Sequence, residues 1–387
     1  MHLPGISNNK DGTGVFRGQG ALSHLEEILP GYKNILIFND RDGFHPCGAA
    51  AYFKALAEKL AGRCTLQYVS YTGKALPIED VEAKYLEVKH RAGVDLITAV
   101  GGGTVIDLAK IIAIAYSNRC EWAAEALSSP DLDNRVDLLF IPTTAGTGSE
   151  ATTFAVVYKD KVKYSIDRPG LLPAYTILDP MLLRSLPTPV LHATVLDALA
   201  QAIEAIWARG STAEAREYAR QAVRLILANI EPKNTIERLS QLQEASHLAG
   251  KAINISRTTL PHSISYPLTS HFGAPHGIAV FLTLPGAAEF NYHTTGETVQ
   301  PGVRPADVEK SFSLLFSLFG VEDIKGLREK LSAIIIRLGF GARLRDYGIG
   351  EGDISFIADS ASTKGRIDNN PRRATRDDVL KILKEII

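Results

Sequence analysis

The stretch LHATVLDALAQAIEAIWAR, residues 191–209, decides how the second half of this 387-residue chain is built. Its apolar residues recur at helical spacing and alanines fill most of the gaps, which predicts a helix that is buried on nearly every side. Asp197 lies in the middle of the stretch, and Gln201 follows four residues later on the same face. Because a buried carboxylate is unfavourable unless a cation or several donors meet it, Asp197 needs a partner.

Two histidines further along the chain could meet Asp197. His262 stands in the sequence LPHS and His276 in APHG. Together with Gln201 they form a chemically suitable set of ligands for a divalent metal. The alternative is a buried Asp that serine or backbone donors satisfy, with two histidines that share no role.

The two halves of the chain have different patterns. Before about residue 180, short apolar strands alternate with amphipathic helices, which predicts a parallel sheet with helices on both faces. The runs on either side of Lys159-Asp160-Lys161 predict a hairpin added to that sheet. From Thr188-Pro189, a helix start signal, the patterns are helical. The predicted helices lie near residues 189–208, 212–229, 236–255 and 305–338, with a last one from about Arg376.

We therefore predict an α/β N-terminal dinucleotide-binding domain followed by an all-helical metal-binding domain. The first covers residues 1–184 and the second covers residues 185–387.

Two loops rich in glycine and hydroxyl residues leave strands at the carboxyl edge of the predicted sheet. The first, GGGT at 101–104, opens a helix whose exposed N–H groups would attract a pyrophosphate, and the second is TTAGTGS at 143–149. Ligands of open α/β sheets bind at this edge, so the loops together predict a dinucleotide site, although neither has a GxGxxG or P-loop pattern. A tight turn without a ligand is the alternative for the first loop. The predicted cofactor-binding residues of these segments are Gly101, Gly102, Gly103, Thr104, Asp107, Thr143, Thr144, Thr147 and Ser149.

Asp40 follows the predicted strand Ile35–Phe38. A carboxylate in this position can accept hydrogen bonds from an adenosine ribose and repel a 2′-phosphate, which favours NAD over NADP. The alternative is an ordinary turn cap, and the neighbouring Arg41 weakens the preference. Both NAD(H) and NADP(H) therefore remain open.

Composition argues against several classes of protein. The 42 basic and 43 acidic residues give no net field that would attract nucleic acid or an anionic membrane. The first residues lack the pattern of a signal peptide, and we find no apolar run of the roughly 18 residues that a membrane span requires. Cys47, Cys64 and Cys120 are odd in number and widely spaced, as expected of reduced thiols. We predict a cytoplasmic homodimer that acts on a small molecule.

Five stretches together resemble the iron-containing (group III) alcohol dehydrogenases. They are AVGGGTVIDLAK, IPTTAGTGSE, TILDP, LDALAQAIEA and APHGIAV, in the order and at the spacing of that family, and the likeness spans roughly residues 15–373. The resemblance implies hydride transfer between a nicotinamide and an alcohol or aldehyde, in a cleft between a dinucleotide-binding domain and a helical metal domain.

The resemblance also implies a metal held by one Asp and three His. Asp197, His262 and His276 match three of these positions, and Gln201 replaces the histidine of the fourth. An amide oxygen is a harder and weaker ligand than imidazole, so the change favours Fe²⁺, with Zn²⁺ or Mn²⁺ as alternatives. A site that no longer holds metal is the other outcome.

A narrower likeness is to the phosphonoacetaldehyde reductase branch, and it is carried by ATTFAVVYKDKVKYSI, LDALAQAIEAIWARGSTAEAREYA and LAGKAINISRTTLPHSISYPLTSHFGAPHG. It implies reduction of phosphonoacetaldehyde to 2-hydroxyethylphosphonate in phosphonate biosynthesis. Lys251 and Arg257 would bind the anionic group of the substrate, because the broader family pattern has apolar or small residues there; the alternative is that both cations simply face solvent. Tyr266, His271 or water would supply the proton. Lys163 matches a family position near the nicotinamide ribose.

Three other functions stay open on the sequence alone. The first is an alcohol dehydrogenase that acts on another small or polyol substrate. The second is a sugar-phosphate cyclase of the dehydroquinate synthase type, which shares the fold but uses a Glu ligand, so Asp197 argues against it. The third is a non-catalytic nucleotide-binding protein whose metal site has decayed through Gln201.

Overall fold

The computed structural model describes residues 7–8, 12–73, 75–231, 235–361 and 367–387. Most of the opening segment in which we find no signal peptide lies outside these residues. The chain divides into two compact units: the first holds the chain through Pro187 together with residues 233–244, and the second holds the remainder. The sequence pattern predicts the boundary between residues 184 and 185, with residues 233–244 in the second domain.

The first unit is built on a parallel sheet, as the sequence predicts. Its strands are β1 (Ser7–Asn8), β2 (Gly14–Arg17), β3 (Asn34–Asp40), β4 (Thr65–Tyr71), β5 (Leu96–Gly101), β6 (Asp137–Pro142), β7 (Phe154–Lys159), β8 (Val162–Asp167) and β9 (Tyr175–Leu178). In the described part of the chain the sheet order is β1-β2-β9-β6-β5-β3-β4, and every pairing is parallel except that of β1 with β2. The predicted hairpin is β7–β8, which is hydrogen-bonded as a two-stranded sheet of its own.

The strand order contains a topological switch point beside β3. The chain moves from β3 outward to β4 and then returns to β5 on the opposite side of β3. The carboxyl ends of β3 and β5 flank this point, which is where open α/β sheets bind ligands. The helices of this unit are α1 (Leu25–Ile28), α2 (Ala49–Lys59), α3 (Ile78–Leu86), α4 (Gly103–Ser117) and α5 (Glu125–Ser128).

The second unit is helical in its described residues, again as predicted. Its helices are α6 (Thr188–Trp207), α7 (Ala213–Ala228), α8 (Ile236–Ser256), α9 (Leu260–Ser270), α10 (His276–Tyr292), α11 (Pro305–Phe319), α12 (Ile324–Arg337), α13 (Ile354–Ser360) and α14 (Arg376–Lys384). The first residues of α8 belong to the first unit. α6 packs against both α7 and α10, and α10 also packs against α9 and α12.

α6 is long and apolar enough, by length and composition, to cross a membrane. Our expectation that no segment reaches this length was therefore too strict. However, 89% of its most apolar window is buried within the protein, which identifies α6 as a core helix. This burial follows from the alanines between its larger apolar residues, since they leave hardly any polar face.

The single helix predicted over residues 305–338 is wrong. α11 ends at Phe319, where Gly320 adopts a left-handed conformation with φ of 61°. Asp323 then begins α12 by accepting a hydrogen bond from the backbone N–H of Gly326. A glycine that ends one helix and an Asp that caps the next are the usual signals of such a break.

Candidate functional site

Three helices of the second unit bring Asp197, His262 and His276 together. One potential ligand atom from each residue lies within 4.8 Å of the others. Asp197 Oδ1 is 3.4 Å from His262 Nε2 and 4.0 Å from His276 Nε2. Ligand atoms that surround one ion at about 2.1 Å are separated by roughly 3–4 Å, so this donor set fits a divalent metal.

Most of the cluster is shielded from solvent, but His276 is partly exposed. Asp197 and His262 are each only 3% exposed, whereas the side chain of His276 is 32% exposed. Gln201 is also 3% exposed and lies one turn after Asp197 on α6, with its amide oxygen buried. It adds a neutral oxygen to the same face of the helix.

Gly277 allows α10 to approach α6 at the level of Asp197. A Cβ atom at this position would lie 2.0 Å from the carbonyl oxygen of Ala193 and 3.0 Å from Asp197 Cβ. Any side chain would therefore push the two helices apart. This contact places His276, the first residue of α10, beside Asp197.

Glu204 belongs to the site and was missed by the sequence analysis. It is fully buried on α6, and its Oε2 contacts His262 Nδ1. Burial lowers the pKa of His262, but the negative charges of Glu204 and Asp197 outweigh this effect, so its pKa is raised. The available signal was the spacing: Glu204 stands seven residues after Asp197, on the same face of a helix that is otherwise apolar.

The two candidates for the proton donor lie in different environments. Tyr266 is 6% exposed on α9, and its ring is parallel to that of His276 with the centroids 6.4 Å apart. His271 is exposed at the end of α9, where it contacts Ser270 Oγ and the ring of Phe356. The structure thus brings Tyr266 to the cluster and places His271 on the surface.

Lys251 and Arg257 lie at the end of α8. Lys251 Nζ is 4.6 Å from the ring centroid of Tyr218. α8 ends at Ser256, and Arg257 follows in a left-handed conformation with φ of 62°, its guanidinium donating to the carbonyl oxygen of Asn254. α8 therefore ends just before Arg257, and the side chain of Arg257 turns back onto the last turn of that helix.

The predicted cofactor residues gather at the carboxyl edge of the sheet in the first unit. Asp40 ends β3 and Gly101 ends β5, on the two sides of the switch point. A Cβ at Gly101 would lie 3.3 Å from Asp40 Cβ, which shows how close the two strand ends are. Gly102 precedes the first turn of α4, which begins at Gly103 and includes Thr104. The second loop joins this edge through Thr143, whose N–H donates to the carbonyl oxygen of Gly101 at 3.1 Å.

The glycines also allow the two loops to touch. A Cβ at Gly102 would lie 3.3 Å from Thr144 Cγ2, and one at Gly103 would lie 2.7 Å from Thr147 Oγ1. The absence of side chains at Gly102 and Gly103 is thus a packing requirement as well as a way to expose backbone N–H groups.

Asp107 holds the second loop to α4. Its Oδ1 accepts from Ser149 Oγ at 2.6 Å and its Oδ2 accepts from the N–H of Val156 at 3.0 Å. Burial raises the pKa of Asp107, while the charges of Lys110 and Lys163 act in the opposite direction. Lys163, partly buried on β8, is therefore close enough to interact with this carboxylate.

Lys110 is a second buried anchor that the sequence analysis did not assign. Its Nζ donates to the carbonyl oxygens of Ser149, Thr152 and Phe154 at 2.7–2.9 Å. Burial lowers its pKa to about 8, and the nearby charge of Asp107 opposes that shift. The three carbonyl oxygens match the three N–H donors of an ammonium group.

Comparison with known families agrees with both halves of the chain. Residues 12–180 match the family described as "Iron-containing alcohol dehydrogenase", and residues 191–387 match "Fe-containing alcohol dehydrogenase family, C-terminal". Among similar structures is an iron-containing alcohol dehydrogenase from Thermotoga maritima, with a TM-score of 0.83 over 97% of each chain and 23% identity, which supports the fold.

Three further relatives have names that state an activity. A phosphonoacetaldehyde reductase from Streptomyces viridochromogenes is 32% identical over 75% of this chain and 76% of its own. A 1,3-propanediol dehydrogenase from Klebsiella pneumoniae is 31% identical over 96% of each. The structure of a sulfoacetaldehyde reductase from Bifidobacterium kashiwanohense, in complex with NAD⁺, has a TM-score of 0.83 and 25% identity over 100% of this chain and 99% of that one.

The family matches and the curated relative decide against the sugar-phosphate cyclase and the non-catalytic nucleotide-binding protein. The sequence matches, the fold and the cluster on α6, α9 and α10 lead to one conclusion: the chain belongs to the iron-containing alcohol dehydrogenase family.

Proposed function

We propose that this oxidoreductase is a metal-dependent NAD(P)H enzyme that reduces a small anionic aldehyde, with phosphonoacetaldehyde as the favoured substrate and 2-hydroxyethylphosphonate as the product. The observation that carries the proposal is the convergence of Asp197, His262 and His276 on one small volume. An enzyme with this activity would act in phosphonate biosynthesis.

The metal would be held by Asp197, Gln201, His262 and His276. A divalent ion in this position supplies Lewis-acid polarisation of the substrate carbonyl. Fe²⁺ is the ion we favour, because one ligand is an amide oxygen in place of imidazole; Zn²⁺ and Mn²⁺ are the alternatives. Tyr266, through its hydroxyl, would donate a proton to the oxygen of the reduced substrate, since its ring lies beside His276.

NAD(H) or NADP(H) would supply the hydride. We assign the pyrophosphate to the backbone N–H groups of residues 101–104 and to the hydroxyl groups of residues 143–149, at the start of α4. Asp40 would accept from the adenosine ribose, which favours NAD, and Lys163 would lie near the nicotinamide ribose. The NAD⁺ of the sulfoacetaldehyde reductase supports this choice of cofactor.

The anionic character of the substrate is the finer part of the proposal. Two relatives act on aldehydes that carry a phosphonate or a sulfonate, according to their names. Lys251 and Arg257 would bind that group, each through a charge-assisted hydrogen bond. The 1,3-propanediol dehydrogenase supports the second candidate, an enzyme for a small neutral alcohol.

The test compares phosphonoacetaldehyde with a neutral aldehyde of similar size, by following NADH and NADPH oxidation in the metal-loaded enzyme. We expect the wild type to prefer the phosphonate. Lys251→Ala and Arg257→Ala should each lower kcat/KM for the phosphonate roughly tenfold to a hundredfold and change the neutral aldehyde little. Arg304→Ala, which removes an exposed arginine paired with Asp307, serves as the control. A wild type that prefers the neutral aldehyde would refute the anionic substrate.

We also propose a homodimer in the cytoplasm. The unpaired state of Cys47, Cys64 and Cys120 suits a reducing compartment. Measurement of the native mass in solution would test the dimer.

A further inference from the structure

Glu204 is a carboxylate in an unusual position, since it is completely buried in the middle of the helical unit. Its Oε1 accepts from the backbone N–H and from the hydroxyl of Thr259, each at 2.8 Å. Its Oε2 faces His262 Nδ1. A buried carboxylate needs such donors, and those that the described residues supply lie between Thr259 and His262, the histidine that we assign to the metal.

The contact between Glu204 and His262 determines which ring nitrogen of His262 is free to bind a metal. When Nδ1 carries the proton and donates to Glu204, the lone pair of Nε2 is directed to the other side of the ring. That side faces Asp197, at 3.4 Å from its Oδ1. An imidazole whose second nitrogen is held by a carboxylate is oriented, and is more basic, as a metal ligand.

The charges of the cluster also favour a bound cation. Asp197 and Glu204 bring two negative charges into a region where both are at most 3% exposed. The other donors that we assign to the metal, two imidazoles and an amide, are neutral in the form that binds metal. A divalent cation at Asp197, His262 and His276 therefore balances the two carboxylates.

We propose that Glu204 is a positioning residue of the metal centre, which fixes the Nδ1–H tautomer of His262 and supplies the second negative charge that a bound divalent cation balances. This inference rests on the proposed function, because it assumes that the cluster holds a metal. It adds a residue that contacts neither the metal nor the substrate but acts through His262.

The support of Glu204 extends further into the core. The hydroxyl of Thr259 accepts a hydrogen bond from Trp207 Nε1 at 3.0 Å while it donates to Glu204. Trp207 stacks on Phe312, with 5.9 Å between the ring centroids. The carboxylate is thus held by a chain of contacts that begins in well-packed aromatic side chains, so it cannot easily turn away from His262.

The experiment measures metal affinity directly. The wild type, Glu204→Gln, Thr259→Val and Asp197→Ala are stripped of metal and titrated with Zn²⁺ and Co²⁺ against a chromogenic chelator. We expect Glu204→Gln to raise the metal dissociation constant about tenfold to a hundredfold, since glutamine keeps the size but loses the charge and can donate to Nδ1. The visible spectrum of the Co²⁺ form should change as well, because His262 would no longer be held in the same orientation.

Ser263→Ala is the matched control. Its hydroxyl is buried on the same helix next to His262 but donates to the carbonyl oxygen of Ala361. We expect it to bind metal like the wild type. Melting temperatures of all variants show whether a loss of affinity occurs in folded protein.

The outcomes separate the two proposals. If the wild type binds metal and Glu204→Gln binds it equally well with the same Co²⁺ spectrum, the role of Glu204 is refuted and the proposed function stands. If the wild type binds no more metal than Asp197→Ala, the metal centre itself is refuted and the role of Glu204 with it. Should Glu204→Gln fail to fold, Thr259→Val decides: we expect a loss of at least threefold, and wild-type affinity would overturn the inference.

Discussion

Gln201 is the residue at which we expect a single substitution to change the metal preference of this chain. We predict that Gln201→His raises the affinity for Zn²⁺ by roughly tenfold or more, because imidazole is a stronger ligand for zinc than an amide oxygen. Competition with a chelator would measure this, with Gln201→Leu as the control that removes the donor. A decline in affinity of Gln201→His for every metal tested would show that the amide has another role.

At the residue scale the sequence predicts the groups that have a distinctive setting. Asp197 stands out as the one acid in the centre of an apolar helix, and His262 and His276 stand out through the family motifs around them. Glu204 does not, because a glutamate near the end of a helix usually faces solvent. Only the fold shows that Thr259 and His262 surround it.

At the scale of elements, the contact between α6 and α10 sets the geometry of the cluster formed by Asp197, His262 and His276. We predict that Gly277→Ala lowers metal affinity at least tenfold and destabilises the protein by about 1–3 kcal/mol, because its Cβ would meet a carbonyl oxygen of α6 at 2.0 Å. Metal titration and chemical denaturation would measure both effects. Gly286→Ala is the control on the same helix, since the nearest atoms to its Cβ belong to the side chain of Ile382, at 3.1 Å or more, and not to the backbone of another helix. Equal metal affinity in the two variants would contradict this role of Gly277.

The contact between α4 and the second loop depends on Lys110. We predict that Lys110→Met destabilises the protein by about 3–5 kcal/mol, because the carbonyl oxygens of Ser149, Thr152 and Phe154 lose their buried donor. NADH binding should weaken as well, since the loop that we assign to the cofactor would be released. Lys59→Met, which removes an exposed pair with Glu26, should change stability by less than about 1 kcal/mol. A similar small effect of Lys110→Met would show that the loop is held in another way.

The elements that the sequence predicts well are those with a strong local pattern. The buried strand β5 and the helix α6 are examples, since every residue of β5 is buried and α6 is apolar on most of its surface. α9 and α10, which carry both histidines, were not assigned in advance. Each contains an internal proline, Pro267 or Pro285, and proline normally argues against a helix interior.

At the scale of the whole molecule, sequence patterns predict the class of each half but not the order of the strands. β2 and β9 are only four residues long, and they pair with each other although they lie far apart in the chain. The switch point beside β3 depends on such long-range pairings, so it becomes visible only in the structure.

The predicted metal ligands all lie in the second unit and the predicted cofactor residues all lie in the first. A bound metal should therefore stabilise the protein through residues of the second unit, and a bound cofactor should do so through residues of the first. A ligand present at a hundred times its dissociation constant adds about 2.7 kcal/mol, which corresponds to a rise in Tm of roughly 5–10 °C if the unit that binds it unfolds cooperatively. We predict that Asp197→Ala loses the rise caused by metal and keeps the rise caused by NADH. Gly103→Val, whose side chain would collide with Thr147, should show the reverse. Thermal unfolding of both variants and the wild type, with each ligand alone, gives the answer. If Asp197→Ala lost both rises to the same extent, the assignment of metal and cofactor to separate sets of residues would be wrong.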